Sequence, residues 1–221
     1  MIPNATSRTR SDEVFEQLQN AIVEGKFAAG QRVSESELAT MFGVSRAPLR
    51  DAVRRLEGRG LLIKKPHVGI TVVSLGIDEL LQIYFVREAL EGMACRLAAQ
   101  HMPQADIDNL RLLLEQHARE INASEGQVYY QEEGNLDFHY RIAQGAGNQK
   151  LMNLLFGDLY HLIRMYRCRF STSEGRPQKA LKEHTQILDA IENRDPELAE
   201  MLMRRHIASA RTNIEKRFQE I

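Results

Sequence analysis

The chain has 221 residues, 27% of them charged and 43% hydrophobic, with a formal net charge of −1, which is long enough for two domains that each bury a core. No signal peptide is visible, no apolar run approaches the roughly 18 residues a membrane span needs, and no internal repeat or low-complexity tract occurs. Cys95 and Cys168 lack C-x-x-C company and are expected as reduced core residues of a cytosolic protein. The near-neutral total hides a division. Residues 1–75 hold 11 Lys+Arg against 8 Asp+Glu, net +3, and residues 76–221 hold 18 against 22, net −4. A basic N-terminal part beside an acidic remainder suits a protein in which only the first part contacts phosphates.

In chain order, Met1 to Arg10 is polar and expected to fray, either as a plain tail or with Arg8 and Arg10 touching DNA backbone. A first helix is predicted over Ser11 to Glu24, with Val14, Leu18, Ala21 and Ile22 inward and Gly25 at its end. From Ser34 to Gly60 two short helices are joined by a tight turn. Ser34 and Glu37 form a capping box, Leu38, Ala39 and Phe42 give the first helix its apolar side, and Gly43 permits the reversal. Ser45 is expected to cap a second helix that runs to about Arg59, with Pro48 in its first turn. On that helix Leu49, Val53 and Leu56 mark a buried face, while Arg46, Arg50 and Arg54 recur every four residues beside it. This suits a helix entering the major groove, its arginines meeting guanine edges or phosphates, although a solvated arginine face on an ordinary helical hairpin has the same pattern. Leu61 to Lys65, the turn Pro66 to Gly69 and the run Ile70 to Val73 then read as a hairpin, the wing of a winged helix.

After a short linker, Ser74 to Asp78, the chain reads as successive helices: Asp78 to His101, Gln104 to Ser124, Gln127 to Ala146, Asn148 to Ser171, Pro177 to Asn193 and Asp195 to Gln219. The fold class is therefore mainly α, with a winged helix-turn-helix domain at 1–75 and an antiparallel helical bundle at 76–221. His139, His184 and His206 each fall on the apolar stripe of a different helix, and Asn135 lies one turn before His139 on the same face. A single histidine on such a stripe is usually a hydrogen-bonded core residue. Three of them with an amide oxygen suit a divalent ion such as zinc, first, or manganese or nickel. Arg87 falls on the stripe Leu80, Tyr84, Arg87, Glu91, Ala94, where a buried guanidinium needs a partner: either Glu91 at i+4 or an anionic effector. Arg164, Tyr166 and Asn213 are further polar candidates for effector contact. A metal held by neutral ligands beside Arg87 lacks a balancing negative charge, so a small di- or tricarboxylate of the citrate or methylisocitrate kind is expected to complete the site.

The segment AIVEGKFAAGQRVSESELATMFGVSRAPLRDAVRRLEGRGLL with the later HVGITV resembles the DNA-binding domain of the GntR family of bacterial transcription regulators. The resemblance implies DNA contacts by Arg46 and Arg50 and a minor-groove approach by Gly69; Ser45, Arg54 and His67 are further candidates for DNA contact. Ser36 stands where many members carry an arginine. VREALEGMACRLAA, NLDFHYRIAQGAGN and EHTQILDAIENRDPELAEMLMRRH resemble the FCD effector domain of the FadR subfamily. In metal-binding FCD members an Asp and a His one turn apart join two further histidines. By motif position these fall on Asn135, His139, His184 and His206, with Asn in place of the usual Asp. His101, His117 and His161 have no motif support.

The sequence thus points to a metabolite-responsive regulator, a repressor more often than not in this family. It is expected to act as a homodimer on a palindromic operator, in the cytoplasm and at the nucleoid when bound. The rival readings are a metal-free regulator sensing an acyl ligand and a metal-dependent hydrolase, the latter lacking an obvious base.

Overall fold

The computed structural model describes residues 9–65, 69–126, 137–157, 160–170 and 175–219. Among these are ten α-helices and a three-stranded sheet. The chain divides by its contacts into two units, Met1–Ser74 with Asp158–Tyr166, and Leu75–Gly157 with Arg167–Ile221.

The first unit is built as its local signals dictate. Helix α1, Arg10–Val23, starts at a capping box of Thr9 with Asp12, one residue ahead of the expected start, and buries Val14, Leu18, Ala21 and Ile22. Arg55 and Arg59 lie over the Phe15 ring at 4.0 and 4.6 Å, so the buried face of α1 is closed by cation–π contacts as well as by apolar packing. Helix α2, Glu35–Phe42, has the Ser34/Glu37 capping box, and Gly43 closes it in the left-handed region at φ 60°. Helix α3, Arg46–Gly58, buries Leu49, Ala52, Val53 and Leu56. Ser45 occupies its N-cap position but makes no side-chain cap hydrogen bond, contrary to the expected role. Strands β2, Leu62–Lys65, and β3, Gly69–Val72, form the wing, pairing Lys65 with Gly69 at the tip. A further strand not expected from the sequence, β1, Arg32–Val33, pairs antiparallel with β3 and puts β3 at the centre of the order β1-β3-β2.

The second unit is organised around α4, Ile77–His101, along which α10, Pro196–Gln219, makes the most extensive helix–helix contact among the described residues. The close approach depends on Gly92: a Cβ there would stand 2.8 Å from Arg204 Cγ. Helices α5, Gln104–Ala123, and α9, Arg176–Glu192, pack together, and α6, Phe138–Gly145, packs on α4. Tyr84, Phe138, Leu80 and Met102 are at most 1% exposed, each such side chain contributing about 1.5–3 kcal/mol of burial. The predicted single helix over Asn148 to Ser171 is two helices, α7, Gln149–Phe156, and α8, Tyr160–Phe170. The interruption begins at Gly157, where a Cβ would meet the Asn153 carbonyl oxygen at 2.4 Å. Of the helix expected from Gln127, the described portion is α6, capped by Asp137; residues 127–136, Asn135 included, lie outside the described residues. Cys95 is buried and Cys168 half-buried, both as free thiols.

Candidate nucleic-acid interface and metal centre

Three of the predicted DNA-facing residues stand on the open side of α3. Arg46, Arg50 and Arg54 are exposed, as is Ser45 at the helix start. Their spacing puts them on one face because α3 buries the opposite one through Leu49, Val53 and Leu56. Arg50 is already engaged: its Nε donates to Glu35 Oε2 at 2.9 Å, and Glu35 Oε1 accepts from Lys64 Nζ of the wing at 2.6 Å. Glu35 therefore ties α2, α3 and the wing together, and these two cations hold its carboxyl below the usual glutamate range. Arg54, with 80% of its side chain exposed, pairs with Asp51 at 2.9 Å. Ser36 is exposed, its Oγ 2.9 Å from that of Ser34. Gly69 has φ +99°, a conformation that disfavours any side chain at the wing tip, and His67 lies outside the described residues.

In the second unit three helices bring the three histidines together. His139 on α6, His184 on α9 and His206 on α10 are 4%, 1% and 5% exposed, and their ligand-capable nitrogens all lie within 4.8 Å of one another. His184 Nε2 and His206 Nε2 are 3.2 Å apart, the separation expected for two nitrogens on one tetrahedral zinc with bonds of about 2.0–2.1 Å. Phe138 stacks on the His184 ring at 4.3 Å and closes that side with an apolar wall. Burial pushes the His206 imidazole down to about 4, against the opposing pull of Glu183. Burial and the neighbouring His206 and His139 push His184 well below its ordinary value. These two rings are thus neutral near pH 7, the form that offers a lone pair to a metal. The donor set fits a divalent metal ion, with three buried imidazoles converging.

The expectation that negative charge is missing here is corrected. Glu91 on α4 is 4% exposed; its Oε1 accepts from Arg87 Nε at 2.7 Å and its Oε2 meets His139 Nδ1 at 2.5 Å. Burial alone would raise its carboxyl, but Arg87 and His139 outweigh burial and hold it ionised well below the ordinary range. Glu183 on α9 plays the matching part for His206, Oε2 to Nδ1 at 2.7 Å, and also accepts from Arg176 at 2.9 Å. Burial is again opposed, here by His206 and Arg176, which hold the Glu183 carboxyl at about 2.

Of the two partners considered for Arg87, Glu91 is present. Yet Arg87 is 3% exposed, lies over the Tyr84 ring at 4.6 Å, and keeps a buried Nη1 without a hydrogen-bond partner among the described residues. Asp137, which the sequence reading passed over, is fully buried. It caps α6 by accepting from the backbone N–H of His139 at 2.9 Å, and it pairs with Arg167 at 2.9 Å. The signal was available, because an Asp placed just before an apolar helical run is a cap. His117, set aside for want of a motif, is buried on α5. Arg164 and Tyr166 are buried on the part of α8 that belongs to the first unit, and Asn213 Nδ2 donates to the Phe170 carbonyl at 3.1 Å.

A winged helix with an exposed arginine face, followed by a helical bundle with a polar centre, defines a DNA-binding regulator carrying a second, helical domain. Residues 10–72 match the family described as bacterial regulatory proteins, gntR family, and residues 82–209 match the FCD domain. The chain therefore belongs to the GntR family of transcription regulators, in its FCD-bearing form. It is 31% identical over 197 residues to the HTH-type transcriptional regulator YdhC of Bacillus subtilis, covering 88% of this chain and 86% of that one. It is 30% identical over 216 residues to a protein of Paenarthrobacter nicotinovorans described as a probable D-xylose utilization operon transcriptional repressor, covering 92% and 88%. The same fold occurs in a GntR regulator from Rhodococcus sp. RHA1, with TM-score 0.74, 21% identity, and 95% and 99% of the two chains covered. It occurs also in Escherichia coli McbR/YncC, with TM-score 0.73, 19% identity, and 96% and 100% covered. The family is one of regulators rather than enzymes, and no described helix is long and apolar enough to cross a membrane.

Proposed function

We propose that this regulator is a homodimeric repressor that binds a palindromic operator and responds to a small carboxylate held in the helical domain beside a divalent metal ion. The single observation that carries the sensing half is the buried, unpartnered Nη1 of Arg87 in the same side-chain cluster as His139. A guanidinium nitrogen left dry at that depth costs stability unless an acceptor arrives, and a carboxylate is the acceptor that a guanidinium fork recognises best. The bound ion would be held by His139, His184 and His206 and would supply a second point of attraction for the anion. Arg87 orients the anion, and Glu91 limits how far the guanidinium can turn, which favours a ligand that reaches Nη1 without displacing the Nε bond. In the first unit, Arg46 and Arg50 meet the major groove and Gly69 brings the wing close to the backbone. Domain limits near 75, as read from the sequence, and cytoplasmic residence belong to the same proposal.

The test is selection of duplexes from a random palindromic library by the purified protein. Fluorescence anisotropy on the selected duplex follows, with Zn2+ and citrate added separately and together. The proposal expects a palindromic consensus and an affinity that citrate changes only when zinc is present. A consensus whose affinity is indifferent to citrate, succinate and zinc would leave a DNA reader without the proposed sensor.

A further inference from the structure

Each of two buried or half-buried carboxylates sits directly behind one of the histidines. Glu91 meets Nδ1 of His139 at 2.5 Å and Glu183 meets Nδ1 of His206 at 2.7 Å. An ionised carboxylate only accepts, so in both pairs the ring nitrogen is the donor. A neutral imidazole that commits its proton to Nδ1 carries its lone pair on Nε2. For His206 that Nε2 is the atom facing His184 Nε2 at 3.2 Å. Both carboxylates are themselves fixed from the far side, Glu91 by Arg87 Nε at 2.7 Å and Glu183 by Arg176 Nη1 at 2.9 Å. Neither ring can therefore turn over without breaking a charge-assisted hydrogen bond.

We infer that Glu91 and Glu183 are positioning residues of a divalent-ion site: they hold His139 and His206 with Nε2 turned to the ion and supply, from one layer out, negative charge that imidazole ligands do not. This rests on the metal-binding reading of the three histidines and deepens it. A carboxylate behind a ligating imidazole raises the basicity of the ligand and fixes its orientation, and loss of such a group typically costs about 10–100-fold in metal affinity. The arrangement also narrows the ion. With imidazole nitrogens in contact and the carboxylates held back by their own arginines, the site favours ions that take nitrogen readily, zinc, nickel or cobalt, over oxygen-seeking manganese, magnesium or calcium. The same Glu91 links the ion to Arg87. Glu91 shares its two oxygens between His139 Nδ1–H and Arg87 Nε–H, so a stronger Nδ1–H donor, as expected were an ion held on Nε2, would weaken its hold on the guanidinium. Metal and anion binding are then coupled with the same sign in both directions.

The experiment uses the full chain in two measurements. Long-range 1H–15N correlation spectra of the imidazole nitrogens in metal-free protein report the tautomers, and competition with a chromophoric chelator reports Zn2+ and Mn2+ affinity. Both are run on wild type, Glu91→Gln and Glu183→Gln. Metal-free wild type is expected to show Nδ1–H tautomers for His139 and His206. Glu91→Gln is expected to disturb His139 alone and Glu183→Gln His206 alone, each lowering Zn2+ affinity by about 10–100-fold. The wild-type tautomers need no substitution, and Glu183 is part-exposed, so the test stands even if Glu91→Gln fails to fold. Nε2–H tautomers in wild type, or zinc affinities equal to wild type in both variants, would overturn the inference while leaving the metal reading in place. Wild type that takes up no zinc would overturn both.

Discussion

Glu35 on α2 accepts the Nε–H of Arg50 on α3 at 2.9 Å, with its second oxygen 2.6 Å from Lys64 of the wing, so one carboxylate holds two cations of the surface proposed to meet DNA. Exposed pairs of this kind contribute little to stability. Their consequence is for the proposed DNA binding, in which phosphates would compete with Glu35 for Arg50 and Lys64.

Replacing Glu35 by Gln is therefore expected to raise non-specific DNA affinity and to steepen its salt dependence by about one to two phosphate equivalents. Arg50→Ala is expected to weaken the selected operator by about 1–3 kcal/mol if the side chain reads a base. Anisotropy titrations at four salt concentrations separate the two. An unchanged salt slope in Glu35→Gln would show that the carboxylate does not compete.

Arg87→Ala is expected to abolish any response to carboxylates. The structure adds a stability cost, because removal leaves Glu91 buried with His139 as its sole remaining partner in the Arg87–Glu91–His139 arrangement. A cost of about 3–5 kcal/mol is typical when a buried pair is broken from one side. Arg87→Lys, which keeps the charge and loses the fork, is the more informative variant. It is expected to fold and bind operator while losing carboxylate affinity by calorimetry. Equal citrate affinity in metal-loaded wild type and Arg87→Lys would make Arg87 a structural partner of Glu91 only.

His161, 4% exposed, has its imidazole pushed down to about 3 by burial, with the nearby Arg59 and Arg164 charges adding to the effect. Its folded value lies below the unfolded 6.5, so the unfolded chain binds the extra proton between those limits. The stability it contributes is complete above pH 6.5 and is lost progressively as pH falls toward 3, with a slope of at most about 1.4 kcal/mol per pH unit. Urea unfolding at pH 7.5 and pH 5 is expected to show a larger acid loss in wild type than in His161→Gln. Parallel losses would show that the ring protonates freely in the fold.

Asp137→Asn keeps the N-cap acceptor of α6 and removes the charge that pairs with Arg167, whereas Asp137→Ala removes both. The first is expected to cost less than the second, which loses about 0.5–2 kcal/mol for the cap in addition to the ion pair. Thermal unfolding of the metal-free proteins checks the order, and equal shifts would mean that the cap contributes nothing.

Much of the first unit was legible because its signals are local. The Ser34/Glu37 box, the left-handed Gly43 and the i, i+3, i+4 rows of Leu49, Val53 and Leu56 all act within a few residues of themselves. Strand β1 was not legible, since Arg32 and Val33 are a strand only through pairing with Thr71 and Ile70. The break at Gly157 was hidden by apolar periodicity that continues through it. At the candidate metal centre the three histidines stood out as polar residues on apolar stripes. Their carboxylates did not, for a geometric reason. Glu183 is adjacent to His184 in sequence but serves His206, 23 residues on, because neighbours on a helix point roughly 100° apart and α10 packs on α9. Glu91 was weighed as a partner for Arg87, but its second oxygen finds His139 only once α6 lies on α4.

The central claim is that His139, His184 and His206 hold one divalent ion, and the most direct measurement is calorimetric titration of Zn2+ into chelator-treated, folded protein. The account predicts one equivalent per chain in wild type and loss of binding in His184→Ala, the histidine buried most deeply. Wild-type protein that stays folded and takes up no zinc, or a His184→Ala variant that binds as tightly as wild type, would contradict it.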